Sequence, residues 1–240
     1  MGWSLVKSLL WSLLLFVQIH EHRACIEEER MGLLELKAFL KSHTNYTKPL
    51  LPTWVYETKG GCCSWEWVNC STNTGHVINL TLSSINQWQD DVRGTWFFNL
   101  SLLQPFKELR ILDLSNNGIA GWLGNEELVY LSNLEVLILE YCGLNGSLPF
   151  KDMANFSNLE ILDLSGNYFT GSITPYIGAL SSLKAISLSY NGLNGTLNTP
   201  GKNLLRNQAF TVLIRSVRTI KREWLVILYR SILTCCNLEA

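Results

Sequence analysis

An α/β solenoid is the fold class this sequence predicts. It would be a short right-handed superhelix with a parallel sheet on its concave face and a disulfide-stapled helical cap at its N-terminus. Three observations predict it. One short pattern is written four times in the middle of the chain, an amphipathic helical stretch precedes those copies, and four cysteines flank that stretch.

The copies begin at Leu109, Leu134, Leu159 and Leu183, recur every 24 or 25 residues, and each reads L-x-x-L-x-L-x-x-N/C. That is the signature of leucine-rich repeats. Alternation with period two turns the leucines inward and the residues between them outward. A single copy cannot bury its leucine face, so neighbours stack and their strands lie side by side about 4.8 Å apart. Asn117, Asn167 and Asn191 end three copies and are expected to bridge backbone groups as a structural ladder; Cys142 takes the same place in the remaining copy, as a buried free thiol.

With 240 residues, 47% of them apolar, the chain can fill a sizeable core. Its net charge of −1 hides an asymmetry: residues 198–240 carry seven Lys/Arg against two acids, leaving the preceding residues at −6. The acidic body excludes nucleic acid as a partner. Residues 1–24 combine Lys7, an apolar run from Ser8 to Val17 and a polar stretch to Arg23. This is a secretory signal peptide cut within 19–24, because the apolar run is about half of the roughly 20 residues a membrane span needs. Secretion permits disulfides among Cys25, Cys62, Cys63 and Cys70, which sequence alone could pair in three ways. It also permits glycosylation, expected at several of the sequons at Asn45, Asn79, Asn99, Asn145, Asn155 and Asn194; a further match, Asn69, is set apart because its middle residue is Cys70.

The cap, residues 25–74, opens with a helix from Glu27. Leu33, Leu36 and Leu40 form one stripe, Met31, Leu34 and Ala38 lie beside it, and Glu27, Glu28 and Glu29 occupy the first turn, where the dipole favours acids. These glutamates, like Asp90 and Asp91, read as solvated faces. Cys25-Ile-Glu-Glu-Glu-Arg30, the following Leu-Leu-x-Leu-Lys-x-Phe-Leu, Trp54 and the Cys62-Cys63-Ser-Trp…Cys70 pattern together resemble the N-terminal cap of plant extracellular leucine-rich-repeat receptors, most of all receptor-like proteins. The resemblance implies the pairs Cys25–Cys62 and Cys63–Cys70. It departs at Trp67, where the family usually has Gly or a basic residue.

The repeats, residues 75–198, begin with the strand Gly75–Leu82, whose Val77, Leu80 and Leu82 point inward. Val77 and Leu109 lie 32 residues apart, so Ser83–Gln104 holds an insertion whose Trp88, Trp96, Phe97 and Phe98 are expected to pack under the loop. After each ladder residue a further element recurs: Gly143–Pro149, Tyr168–Pro175 and Gly192–Asn198. It resembles the plant-specific Leu-x-Gly-x-Ile-Pro element, which implies a second small sheet along one flank. Pro175 sits one place late, and Asn198 stands where Pro is expected.

Residues 199–240 read as a non-repeat basic and apolar tail, disordered or helical. Another copy should begin near residue 208, yet the sequence there does not supply it. The preferred reading is sequence foreign to the family, from a truncated or misread gene. A makeshift C-terminal cap or a basic amphipathic helix on a membrane surface ranks below it.

A solenoid binds through its concave strand face. The outward grid is Ile111, Asp113 and Ser115; Val136, Ile138 and Glu140; Ile161, Asp163 and Ser165; Ala185, Ser187 and Ser189, with Tyr141 beside it. Val136, Ile138, Glu140 and Tyr141 are the most individual choices, whereas Asp113 and Asp163 belong to a common Leu-Asp-Leu-Ser pattern. A glycan at Asn79 would block the N-terminal end of this grid. No nucleophile elbow, metal-ligand spacing or phosphate loop is present, so no enzyme, cofactor or metal is expected. The resemblance implies a secreted or cell-surface recognition module for an extracellular peptide, glycan or protein in defence or development, signalling through a co-receptor kinase. The alternatives are a secreted polygalacturonase-inhibitor-like protein, or a truncated fragment without activity of its own.

Overall fold

The computed structural model describes residues 25–43, 49–56, 61–85, 96–123, 131–147, 156–172, 180–194 and 211–213. The signal peptide, Asn45, Trp88, Asp90, Asp91, Pro149, Asn155, Pro175 and the remainder of the tail lie outside the described residues.

The period-two alternation produces short strands whose central leucine is inward. Numbered in chain order, β1 (Val68–Cys70), β2 (Val77–Thr81), β4 (Ile111–Asp113), β6 (Val136–Ile138), β8 (Ile161–Asp163), β10 (Ala185–Ser187) and β12 (Thr211–Leu213) form one seven-stranded sheet in that order. β1 runs antiparallel to β2; every other pairing is parallel. Register sets Leu80, Leu112, Leu137, Leu162 and Ile186 side by side, all buried. β12 is a strand the leucine pattern does not predict. Val212 lies opposite Ile186, 26 residues on, with valine where the copies carry leucine or isoleucine.

Along the flank, β7 (Asn145–Gly146), β9 (Tyr168–Ser172) and β11 (Gly192–Asn194) form a second parallel sheet, and β3 (Trp96–Asn99) pairs with β5 (Ile119–Leu123). The aromatics of β3 alternate: Trp96 and Phe98 are buried against Phe39, but Phe97 faces out beside Gly121, contrary to its expected place under a loop. A strand cannot bury adjacent side chains on one face.

The turn after each concave strand carries backbone groups with no strand partner, and the ladder residues satisfy them. Asn117, Asn167 and Asn191 donate through Nδ2 to Leu82, Leu139 and Leu164 O of the preceding repeat, as well as to Leu114, Leu164 and Leu188 O of their own. Asn167 Oδ1 accepts the amides of Cys142, Gly143 and Leu144. Cys142 keeps the register, its thiol donating to Leu114 O at 3.2 Å. Burial pushes that thiol up to about 12, so it stays protonated and unreactive.

The cap seals the apolar end of the stack. α1 (Glu27–His43) buries Leu33, Leu36 and Leu40 as predicted by their spacing, while Met31 and Ala38 are exposed. It lies so close to the segment that follows the insertion that a Cβ on Gly32 would come 2.7 Å from Pro105. Glu29 is not solvated as its sequence context suggests: it is buried, accepting from the Val77 amide at 2.8 Å and facing His76 Nδ1 at 3.0 Å, which pins the helix to β2. Desolvation raises the Glu29 carboxyl above the ordinary glutamate range despite these bonds. Disulfides join Cys25 to Cys62 and Cys63 to Cys70. Trp54 stacks on Trp65 and donates to Glu66 O. Trp67 has φ 67°, the left-handed region where glycine is favoured, and its side chain is 58% exposed. The departure from the family pattern therefore falls on a strained residue.

Three outcomes check this architecture. Asn167→Ala should cost at least about 3 kcal/mol in urea unfolding, because several buried backbone groups lose their partner; a loss under about 0.5 kcal/mol would remove the ladder from the list of stabilising features. Trp67→Gly should raise stability by about 0.5–1 kcal/mol, the relief of left-handed backbone outweighing glycine's extra freedom when unfolded. Glu29 has a raised folded value, so its favourable contribution is complete below the unfolded value of 4.5 and declines as pH rises through the folded one. Relative to wild type, Glu29→Gln should thus gain stability as pH rises above 4.5; a relative loss on that rise would contradict the assignment.

Candidate ligand-recognition face

The parallel register arranges outward side chains in rows across the sheet. Asn79, Ile111, Val136, Ile161 and Ala185 make one row, and Thr81, Asp113, Ile138, Asp163 and Ser187 the next. Ile111, Val136, Ile138 and Ile161 are half-buried, giving an aliphatic floor, whereas Ala185 is buried. Towards the C-terminal ends of the strands come Ser115, Glu140, Ser165 and Ser189. Opposite them, Arg110 grips Glu135 with two bonds of 2.8 and 2.9 Å, and Lys184 reaches Glu160 at 2.7 Å.

Ser115 and Ser165, expected among the ligand-contacting residues, are buried instead. Their amides and hydroxyls donate to Asp113 Oδ1 and Asp163 Oδ1 at 2.6–2.9 Å, folding the chain into the turn. Desolvation raises the Asp163 carboxyl above its ordinary range, with the Ser165 bonds opposing it. Glu140 and Ser189 are half-buried and Tyr141 is exposed. Thr81 and Tyr190 extend this face but escape the sequence reading. Thr81 lies in the irregular first repeat; Tyr190 has a legible signal, since it precedes Asn191 as Tyr141 precedes Cys142.

The sequons are scattered. Asn79 sits within the first row, half-buried, with Thr81 Oγ1 donating to its Oδ1. Asn99 caps a 3-10 turn by accepting from Ser101, Asn145 is exposed on β7, and Asn194 ends β11. The sulfurs of Cys25, Cys62 and Cys63 lie within 4.8 Å of one another, yet each belongs to a disulfide and offers no thiolate to a metal. Among the described residues no helix is long and apolar enough to cross a membrane.

Residues 26–71 match the leucine rich repeat N-terminal domain, and residues 108–129 and 158–180 match the leucine rich repeat. The chain is 35% identical over 200 residues to receptor-like protein 14 of Arabidopsis thaliana, a match covering 80% of this chain and 17% of that relative. The chain thus spans about a sixth of the relative's length. Among solved structures, a plant ice-binding protein superposes with TM-score 0.56 and 27% identity, over 71% of this chain and 50% of that one. The BIR2 ectodomain from Arabidopsis thaliana gives 0.54 and 28%, over 72% and 84%. The ectodomain of the Arabidopsis thaliana membrane receptor kinase GASSHO1/SCHENGEN3, solved in complex with CASPARIAN STRIP INTEGRITY FACTOR 2, gives 0.50 and 28%, over 68% and 18%. The likeness to receptor ectodomains, together with the disulfide-bonded cap, makes this an extracellular chain. The chain thus carries a leucine rich repeat N-terminal domain and leucine rich repeats, and in sequence this cap and these repeats are similar to those of plant receptor-like proteins.

Proposed function

We propose that the concave sheet is the recognition surface of a plant receptor-like module, binding an extracellular peptide or protein segment in defence or developmental signalling and acting through a partner kinase. One observation carries the reading. The side chains of Ile111, Val136, Ile138 and Ile161 lie in adjacent register as an aliphatic floor, edged by the carboxylates of Asp113, Glu140 and Asp163. An extended segment laid across such a floor would bury its apolar side chains in it and meet carboxylates at the rim. The complex formed by the GASSHO1/SCHENGEN3 ectodomain supports a binding role for this fold. A glycan on Asn79 would confine the ligand to repeats from Ile111 onward.

Panning the secreted chain against an unbiased peptide display library tests this. Wild type should enrich a defined set of sequences. Val136→Arg and Ile138→Arg should each weaken those binders at least about tenfold, since a charge replaces buried apolar contact, while the urea midpoint holds. Binders indifferent to both substitutions would place recognition elsewhere.

A further inference from the structure

Beside the concave face runs a column the repeat consensus does not mention. The residue just before each ladder position, and its counterpart in the first repeat, adopts left-handed backbone: Ser84 (φ 57°), Asn116 (57°), Tyr141 (49°), Gly166 (64°) and Tyr190 (55°). Backbone bonds hold the column in register. The amides of Asn116, Tyr141 and Gly166 donate to Glu140, Ser165 and Ser189 O of the following repeat at 2.8–3.0 Å.

Serine, asparagine and glycine are ordinary or tolerable in such a place; a bulky aromatic is an outlier, and strain of this kind clusters at functional sites. Here two tyrosines accept it with 42% and 53% of their surface exposed, so burial does not account for them. An independent observation comes from the glycine between them. A Cβ on Gly166 would lie 2.4 Å from the Tyr141 ring. The ring therefore lies across the next repeat's turn, towards the repeat that carries Tyr190, and only glycine leaves it room. Glu140 immediately precedes Tyr141, and the Asp163 carboxylate is held against Ser165, the residue before Gly166, at 2.6 and 2.9 Å, which brings carboxylates to the edge of the strip.

We propose that Tyr141, Gly166 and Tyr190 form an aromatic ledge for a basic side chain, arginine or lysine, of a peptide held on the concave face. This rests on the concave-face reading and adds the ligand's chemistry. A guanidinium or ammonium stacked on a tyrosine face is attracted by the ring, and neighbouring carboxylates accept its N–H groups. An acidic peptide would meet like charge there. A neutral glycan would find the Ser115 and Ser165 hydroxyls already donated to Asp113 and Asp163.

The same display library, panned on wild type, should enrich sequences carrying arginine or lysine at a fixed position. For an enriched peptide synthesised with arginine there, calorimetric affinity should fall at least about tenfold on Tyr141→Ala, and also when glutamine replaces that arginine. Tyr141→Phe, which keeps the ring, should retain affinity, and Tyr168→Ala, an exposed tyrosine on the flanking sheet, should leave it unchanged. Gly166→Ala, which displaces the ring without removing a contact, should weaken binding as Tyr141→Ala does, with folding checked by circular dichroism. Enriched peptides without a basic residue, or an arginine peptide bound equally by wild type and Tyr141→Ala, would overturn the ledge, even where Val136→Arg abolishes binding and the concave-face reading stands.

Discussion

The structure depends on a hydrogen bond that reaches backwards by one repeat. As the chain leaves each concave strand it must turn, and the amides and carbonyls of that turn have no strand to pair with. Asn117, Asn167 and Asn191 supply the missing partners by donating to a carbonyl of the preceding repeat, and the Cys142 thiol does the same for Leu114 O. Because each bond spans neighbouring repeats, it fixes their stagger as well as their separation. The inward leucines then meet as a continuous column, and the outward side chains meet as rows. A slip of one residue would exchange the two sets.

A stack of this kind has two apolar ends, and the N-terminal one is closed by different means. α1 lays its leucine stripe against the first repeats, β1 covers the free edge of β2 by antiparallel pairing, and the two disulfides hold helix and edge strand together. The Glu29 carboxylate ties the two layers by capping the first amide of β2. Burying a carboxyl there is costly, as its raised protonation range records, and the bonds to Val77 and His76 offset the cost.

The four leucine copies and the cap helix were legible because they rest on periodicity, which survives in a single sequence, whereas the flanking sheet was legible only through the resemblance of its recurring glycine-containing element to a family motif. What escaped did so for local reasons. β12 replaces leucine with Val212 and shifts its interval, so the pattern is present in hydropathy but not in letters. Glu29 sits in a run of three acids that looks solvated, and only the approach of β2 distinguishes it. Ser115 and Ser165 alternate outward on paper, but the turn has begun by then and draws them into bonds with the preceding aspartates. The column of Tyr141, Gly166 and Tyr190 is defined by a backbone angle, which no residue letter but glycine declares.

Recognition, on this view, is a by-product of stacking: the rows exist because the repeats share one register, and their chemistry is free to vary because the leucines and asparagines carry the fold. Native-state hydrogen exchange tests that dependence most directly. The amides of Leu114, Leu139 and Leu164 each donate to a neighbouring repeat, to Ile138, Asp163 and Ser187 O respectively. They should exchange together, slowly and through one shared opening. Independent, rapid exchange of any one of them would mean the repeats do not form a single stack, and the concave face would lose its basis.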